Sequence, residues 1–306
     1  MTLIKTYYRL KPVIPRRLQI LLRRGIVRWK REKYRDLWPI DEKAASVPEG
    51  WVGWPERKRF ALVLHHDVDT YVGHEKCGRL ADLEQRMGFR SSFNFVPERY
   101  AVSPALRRSL VDKGFEIGVH GLKHDGTLFL SPEIFEKQAI RIKNYLKEWN
   151  SFGFVSPSMY RKLDWIHDLG IRYDTSTFDV DPFEPQPEGA GTIYPFWHRN
   201  GTEMQGFIEL PYTLPQDFTL YILMQEKNID IWKRKLDWIA EKGGMALLIS
   251  HPDYMNFDRR RCKIDEYPAQ FFEEFLEHIE NRYRGQYWHV LPSKLAEFWK
   301  EKMVKM

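Results

Sequence analysis

The sequence predicts an α/β fold, a parallel (β/α) barrel preceded by a basic N-terminal extension. Short apolar strands alternate with helical stretches from residue 60 to the end of the 306-residue chain. Five consecutive apolar residues at 60–64 are typical of a strand buried on both faces, as in a parallel sheet. This regular alternation favours a barrel over a sandwich. We therefore divide the chain into an extension, residues 1–59, and a barrel, residues 60–306.

The predicted elements follow one another in a regular order. Hydrophobic runs predict strands at residues 60–66, 91–96, 115–119, 152–155, 171–173, 207–210, 245–250 and 287–291. Helical patterns lie between them at residues 73–88, 103–113, 132–148, 160–169, 229–242, 268–282 and 292–302. Ser131 followed by Pro132 is a typical helix start. Residues 178–202, rich in Pro and Gly, predict a long loop or a small hairpin.

The positive charge of the chain belongs to its extension. Residues 1–59 hold 16 Lys and Arg against 6 Asp and Glu, whereas the rest holds 32 against 36. We therefore expect no nucleic-acid partner. Residues 15–33 predict a basic helix with apolar residues near one face. It either packs on the barrel with a solvated basic side, which we favour, or makes peripheral contact with an anionic membrane. Residues 34–59 predict an extended segment wrapped on the barrel.

The cysteine count and the hydropathy pattern bear on the compartment. Cys77 and Cys262 are too few for a disulfide framework, which favours a reducing compartment. We see no apolar run of membrane-spanning length and no secretory signal. The sequence therefore predicts a cytoplasmic protein, with peripheral attachment at the inner face of the membrane as the alternative.

Two aspartates follow the first strand. Asp67 and Asp69 point the same way if the strand stays extended, because side chains alternate along a strand. Two buried carboxylates side by side repel each other and lose hydration. A metal ion or a shared proton would remove this cost. The alternative is that one aspartate caps the next helix and the other lies in a turn.

Polar residues also follow three later strands. His120 and His124, spaced i, i+4, predict two imidazoles on one side of a helical turn, which suits a transition metal. His251 ends strand 245–250, and Asp174 follows strand 171–173. A core histidine or a capping aspartate explains each site separately. Together they fall at the carboxyl ends of parallel strands, where catalytic residues of barrels gather.

These residues together resemble the polysaccharide deacetylases of carbohydrate esterase family 4, the chitooligosaccharide-deacetylase homology domain, over roughly residues 60–300. The segment His66-Asp67-Val68-Asp69 resembles the spaced first motif of one branch. The resemblance implies a distorted, seven-stranded barrel that removes acetyl from an N-acetylated sugar. It implies Asp67 as general base and His251 as general acid, and it implies a metal site whose ligands are Asp69, His120 and His124.

The resemblance also implies a cofactor, a substrate class and an orienting aspartate. The cofactor is a divalent metal, zinc first, with cobalt, manganese, nickel or iron as alternatives. The substrate is a carbohydrate, in a glycan such as a cell-surface polysaccharide or in a lipid-linked saccharide. Asp174 most simply orients His251, and Asp179 is the second candidate. Aromatic residues near 195–197 either stack on sugars or, as we favour, pack in the core.

One position departs from the family pattern. Val155 stands where the family usually carries an arginine that steadies the catalytic aspartate. Arg161 or Arg172 is expected to replace it if either reaches Asp67. His65, on the same face, is expected to give structural support rather than to bind metal. The departure keeps two alternatives open, namely a hydrolase of a non-sugar amide or cyclic imide and a metal-binding pseudoenzyme that recognises a glycan.

Overall fold

The computed structural model describes residues 14–200, 205–258 and 261–304, so residues 1–13 of the predicted extension and 201–202 of the predicted loop lie outside it. The described strands are β1 Phe60–Val68, β2 Ser92–Phe95, β3 Glu116–His120, β4 Gly153–Val155, β5 Tyr173–Asp174, β6 Phe196–Arg199, β7 Gly206–Glu209, β8 Met245–Ser250, β9 Met255–Asn256, β10 Tyr267–Pro268 and β11 Tyr287–His289. The described helices are α1 Arg16–Lys33, α2 Tyr71–Arg86, α3 Pro104–Asp112, α4 Pro132–Glu148, α5 Leu163–Ile166, α6 Asp230–Lys242, α7 Gln270–Tyr283 and α8 Pro292–Met303.

The main sheet of the described residues has nine strands and is mostly parallel. Its order is β11-β1-β2-β3-β4-β5-β7-β6, and β8 also pairs with β1. Only β6 runs antiparallel to its neighbour, β7. A parallel bridge between Leu214 and Leu248 connects the chain after β7 to β8, so the sheet curls back towards its start. The predicted α/β barrel-like fold is confirmed, and β6 and β11 extend the parallel circuit of β8, β1, β2, β3, β4, β5 and β7.

Strand β1 lies at the centre of the sheet. All nine of its residues are buried, as expected for a parallel strand covered on both faces. It pairs with β8 on one side and with β2 and β11 on the other. Thr70 caps the helix that follows, accepting a hydrogen bond from Val72 N. The carboxyl end of β1 is therefore held in place by β8, β2 and a capped helix, whereas β11 pairs with its amino end.

The N-terminal helix α1 packs on the barrel but differs from the prediction in one respect. Ile20 and Val27 are buried beneath it, and the helix continues through Gly25. The favoured interpretation put a solvated basic side outward, whereas the outward side of the helix is largely apolar. Arginines on its inner side bind the barrel instead. No helix among the described residues is long and apolar enough to cross a membrane.

The segment after α1 follows the surface of the barrel. Short 3₁₀ turns interrupt it at Glu42–Ala45 and Pro55–Arg57. The Trp51 ring lies 4.8 Å from the Trp299 ring of α8, and the Trp54 indole N–H donates to the carbonyl of Gly243. These contacts attach the segment after α1 to the barrel. The division at residue 59 stays a prediction.

Two regions differ from the predicted elements. The helix predicted at 160–169 is only α5 with a short 3₁₀ turn, His167–Leu169. A π-helical segment, Phe218–Leu223, follows β7 where the sequence analysis predicts no element. Its apolar side chains are all buried, so their pattern shows no amphipathic period from which a helix could be inferred.

Leu62→Ala in β1 tests how strongly the central strand stabilises the fold. Leu62 is fully buried, so the truncation leaves a cavity and should lower the free energy of unfolding by about 2–5 kcal/mol. Denaturant unfolding measures this change. Val111→Ala is the control, because Val111 is exposed on α3 and its loss should change stability by less than about 0.5 kcal/mol. Equal losses in both variants would contradict the central role of β1.

Candidate metal centre and active site

The structure brings three predicted metal ligands together. The Nε2 atoms of His120 and His124 lie 3.3 Å and 3.2 Å from Asp69 Oδ1. One potential ligand atom from each residue lies within 4.8 Å of the other two. Asp69 follows β1 and His120 ends β3, so the carboxyl ends of two parallel strands supply the group, as the sequence predicts.

The path between the two histidines differs from the predicted helical turn. The chain bends after β3, with φ of 62° at Gly121 and 55° at His124. A side chain at Gly121 would also meet the Pro157 ring, since an added Cβ would lie 2.4 Å from its Cγ. Glycine therefore permits a tight bend that turns His124 back towards Asp69.

The donor set fits a divalent cation. Asp69 Oδ1 is buried and has no hydrogen-bond partner among the described residues, although two imidazole nitrogens face it. An unpaired buried oxygen is costly. Two ligand atoms about 2.1 Å from one ion lie roughly 3.0–3.4 Å apart, and the separations of Asp69 Oδ1 from His120 and His124 fall in this range. An ion bound by these three residues would satisfy the oxygen.

Neighbouring groups orient the metal-site residues. His120 Nδ1–H donates to the carbonyl of Val155 at 3.2 Å, which leaves the Nε2 lone pair directed at Asp69. Position 155 therefore contributes through its backbone. The Tyr254 hydroxyl donates to Asp69 Oδ2 at 3.3 Å, so Oδ1 is the oxygen left open.

Asp253 fixes the backbone that carries Asp69. Its Oδ2 accepts from Asp69 N at 3.0 Å and its Oδ1 accepts from the Thr70 hydroxyl at 2.5 Å. The carboxylate lies against the first turn of α2, where a Cβ added at Gly73 would lie 2.1 Å from Asp253 Oδ2. The sequence analysis missed both Asp253 and Tyr254, although they directly follow His251-Pro252.

Asp67 has a histidine partner in place of the expected arginine. Its Oδ1 lies 2.9 Å from His65 Nε2, and the Ser92 hydroxyl lies 3.2 Å from His65 Nδ1. Asn94 Nδ2 also lies 2.5 Å from His65 Nε2, and a proton on that ring nitrogen would be donated to the carboxylate. Burial raises the pKa of Asp67, but the neighbouring imidazoles of His120 and His65 outweigh it and lower the pKa to about 2. The carboxylate is thus held ionised.

Neither candidate arginine reaches Asp67. Arg161 donates to the carbonyls of Met159 and Glu188. Arg172 pairs with Glu297 at 3.0 Å. Among the described residues neither forms an ion pair with Asp67, so neither takes the place of the missing arginine. Val155 has no polar side-chain atom to contact Asp67, and His65 contacts that carboxylate instead.

His251 is oriented by Asp217 and not by Asp174. Its Nδ1–H donates to Asp217 Oδ1 at 2.7 Å, and its backbone N–H donates to Oδ2 at 2.8 Å. The Tyr267 hydroxyl also donates to Asp217 Oδ2. The prediction for Asp174 is therefore corrected, because that carboxylate accepts from the Ser176 hydroxyl and backbone N–H.

The second candidate, Asp179, is also occupied elsewhere, since it pairs with Lys235 at 2.5 Å. Asp217 immediately precedes the π-helical segment, far from any predicted strand end, so the rule that placed the other site residues could not find it. The only sequence signal is a polar pair, Gln216-Asp217, inside an apolar stretch.

The charge of His251 is set by its carboxylate neighbours. Burial lowers the pKa of the imidazole, but Asp217, then Asp69 and Asp67, outweigh burial and raise the pKa to about 10. His251 is therefore protonated at neutral pH. An ionised carboxylate, Asp67, and a protonated imidazole thus face one site, the arrangement that acid–base chemistry requires.

One cavity of about 980 Å³ brings the main groups together. Asp67, His251 and the three metal-site residues line it. The inner side of α1 forms part of its wall, through Arg16 and Arg23. The aromatic pair at 196–197 does not line this cavity, and Trp197 packs against the core, as the favoured interpretation had it.

Comparison with known proteins gives a partial match in sequence. No protein-family model matches the chain. The peptidoglycan deacetylase-like protein FGM2 of Gibberella zeae is 28% identical over 156 residues. The aligned region covers 48% of this chain and 44% of that protein, so the chain matches less than half of its relative's length.

Solved structures share the fold across most of the chain. A structure from Mycobacterium smegmatis, assigned as a polysaccharide deacetylase, superposes with a TM-score of 0.65 at 18% identity, over 85% of this chain and 96% of that one. The Puue allantoinase gives a TM-score of 0.64 at 15% identity, over 88% and 99%. A Pseudomonas aeruginosa structure, also assigned as a polysaccharide deacetylase, gives 0.63 at 16%, over 88% and 100%. The chain therefore has the curled (β/α) barrel fold of these proteins.

Asp217→Asn tests the orientation and charge of His251. Removing the negative charge lowers the pKa of the imidazole, because Asp217 favours its protonated form; we expect a fall of roughly 1–3 pH units. An NMR titration of the His251 ring measures it. Asp174→Asn is the matched control and should leave the His251 titration unchanged. A shift in the Asp174 variant alone would restore the sequence-based assignment.

Proposed function

We propose that the protein is a metal-dependent carbohydrate N-deacetylase of the polysaccharide deacetylase family. In this proposal it hydrolyses the acetamide of an N-acetylated sugar in a glycan or a lipid-linked saccharide. The observation that carries the proposal is the convergence of three groups in one cavity, namely the Asp69-His120-His124 cluster, the Asp67 carboxylate and the His251 imidazole. The likeness to FGM2 and the shared barrel fold support the same chemistry.

The two acid–base residues have complementary tasks. Asp67 is ionised at neutral pH and accepts a proton from the attacking water, while His65 holds its carboxylate in place. His251 donates its proton to the departing nitrogen, without which an amide nitrogen is a poor leaving group. Asp217 keeps His251 protonated and aligned. The chain thus supplies both proton transfers that amide hydrolysis needs.

Asp69, His120 and His124 are the proposed metal ligands. A divalent ion held there would polarise the acetyl carbonyl and lower the pKa of water. Two imidazoles and a carboxylate suit zinc first, with cobalt, manganese, nickel or iron as alternatives. Tyr254 and Asp253 support the aspartate and Val155 supports His120, as outer partners of metal ligands commonly do.

Two other functions remain as alternatives. One is hydrolysis of a non-sugar amide or cyclic imide on the same catalytic groups, and one fold neighbour bears the name allantoinase. The other is a metal-binding pseudoenzyme that recognises a glycan. Its only support is the missing arginine at position 155, and the contact of His65 with Asp67 weakens that argument.

Acetate release from N-acetylated oligosaccharides in the presence of divalent metals tests the proposal. Asp67→Ala, His120→Ala and His251→Ala should each lower the rate by about 100-fold or more. Elemental analysis should show metal lost only from the His120 variant. Asp168→Asn, at an exposed position away from the cavity, is the control and should keep full activity.

The alternatives give different results in the same assay. Activity unchanged in all three site variants would contradict the proposed function. Ring-opened products without acetate would favour the cyclic imide hydrolase. Stoichiometric metal without turnover on a panel of acylated substrates would favour the pseudoenzyme.

His65→Gln tests whether His65 positions the general base. Loss of the imidazole leaves Asp67 less well held, so kcat should fall by roughly 10- to 100-fold while KM changes little. His66→Gln is the matched control. His66 contacts Ser250 and Glu84 on the other face of β1, so this variant should lose stability but keep kcat at temperatures below its unfolding transition. A fall in kcat of the same size in both variants would show a general effect of disturbing β1.

A further inference from the structure

Helix α1 presents an apolar stripe to the outside of the molecule. Leu18, Leu22 and Trp29 lie on one face, because their spacings of four and seven residues match helical turns, and Leu21 and Ile26 flank them. These five side chains are 47% to 63% exposed. Elsewhere among the described residues, exposed large apolar side chains occur singly or as one adjacent pair. A continuous exposed stripe of this kind marks an interaction surface.

The helix is fixed to the barrel by its other side. Arg24 donates to the carbonyls of Ile222 and Ile264, and Arg31 pairs with Glu226 at 2.5 Å. These contacts, together with the burial of Ile20 and Val27, hold the stripe outward. The apolar face is therefore preformed, and it needs no rearrangement of the barrel to become available.

Basic side chains border the stripe. Arg17 and Arg28 lie along one flank, and within the described residues neither forms an ion pair. Lys33 lies at the end of the stripe, 5.3 Å from the Trp29 ring. The first sixteen residues of α1 contain no acidic side chain. An apolar face with an interfacial tryptophan and a cationic border suits the headgroup region of an anionic bilayer.

We propose that α1 docks the protein on an anionic phospholipid surface, with the stripe inserted among the lipids and Arg17 and Arg28 on their headgroups. The positive charge beside the stripe favours an anionic bilayer over a second copy of this chain. A symmetric contact with a second copy would bring identical arginine flanks together. Residues 1–13 carry Lys5, Arg9 and Lys11 and no acidic residue, so that segment has the same sign as the flanks.

Docking would place the catalytic cavity next to the membrane. The inner side of α1 lines this cavity, and a helix with its side chains is about 10–12 Å across. The docking surface does not depend on the proposed chemistry. Ile26 is the one stripe residue that also lines the cavity, and among the described residues no hydrogen bond or ion pair joins the stripe to Asp67, His251 or the metal-site cluster. A saccharide presented at a lipid surface would nevertheless lie within reach.

Cosedimentation of the full chain with vesicles tests the proposal. Wild-type protein should bind phosphatidylcholine vesicles that contain phosphatidylglycerol, bind pure phosphatidylcholine much less, and dissociate in high salt. Leu22→Asn with Trp29→Asn should lower the partition coefficient by about tenfold or more. Ile140→Asn, which changes a single exposed apolar residue of α4, is the control and should bind as wild type does.

A second pair of variants isolates the charge contribution. Arg17→Gln with Arg28→Gln should weaken binding roughly thirtyfold, since each basic residue near an anionic surface contributes about a fivefold factor. Arg86→Gln with Arg108→Gln removes the same charge from exposed helical positions outside α1 and should change binding by less than about twofold. These two double arginine variants remain informative if the variant with Leu22→Asn and Trp29→Asn fails to fold.

Three results would overturn the docking proposal. The first is wild-type protein that fails to bind the anionic vesicles. The second is control variants that lose binding as strongly as the α1 variants. The third is a dimer, seen by sedimentation, that disappears in the asparagine variant while vesicles stay unbound, which would assign the stripe to a second copy. Acetate release from a soluble oligosaccharide would be unaffected in each case, so this failure is distinguishable from failure of the proposed function.

Discussion

The site depends on the burial of two carboxylates at the end of β1. Asp67 and Asp69 are separated by one residue, and His120 faces both of them, at 3.9 Å and 3.3 Å. His65 contacts Asp67 from the same strand, whereas His124 faces Asp69 from beyond the end of β3. Neighbouring like charges would otherwise push protons onto one of them. This partial division of neighbours gives the two adjacent aspartates different environments.

Long-range contacts hold this division in place. Asp253 binds the backbone of Asp69 from 184 positions away in the chain, and Asp217 binds His251 across 34 positions. The first contact exists because β8 pairs with β1 and ends beside it, and the second because the bridge between Leu214 and Leu248 brings Asp217 towards the end of β8. Strand pairing, and not any local motif, thus determines which carboxylate contacts which site residue.

The sequence predicted those elements and site residues that follow from hydrophobic periodicity and from the position of strand ends. The strand predicted at 245–250 and the Ser131-Pro132 start of a helix correspond to β8 and α4 at those bounds. The rule that polar groups follow parallel strands identified Asp67, Asp69, His120 and His251. The same rule selected Asp174 wrongly, because hydrogen bonds to Ser176 satisfy it locally. Asp217 follows no strand, so only the folded chain reveals it.

The outer face of α1 was misjudged for a related reason. Sequence periodicity shows that a helix has an apolar side, but it does not show which side the barrel covers. Ile20 and Val27 suffice to attach the helix. The larger apolar group, which includes Trp29, was assumed to be the buried one, and the structure turns it to the outside.

Two glycines of α2 differ in what they tolerate. A methyl group at Gly78 would meet nothing within 4 Å, whereas one at Gly73 would lie 2.1 Å from the carboxylate of Asp253. Alanine generally stabilises a helix by up to about 1 kcal/mol relative to glycine. Gly78→Ala therefore offers added stability without a steric clash. At Gly73 the same change would push Asp253 away from the backbone of Asp69. The amount of empty space beside one helical turn therefore limits how far α2 can be rigidified.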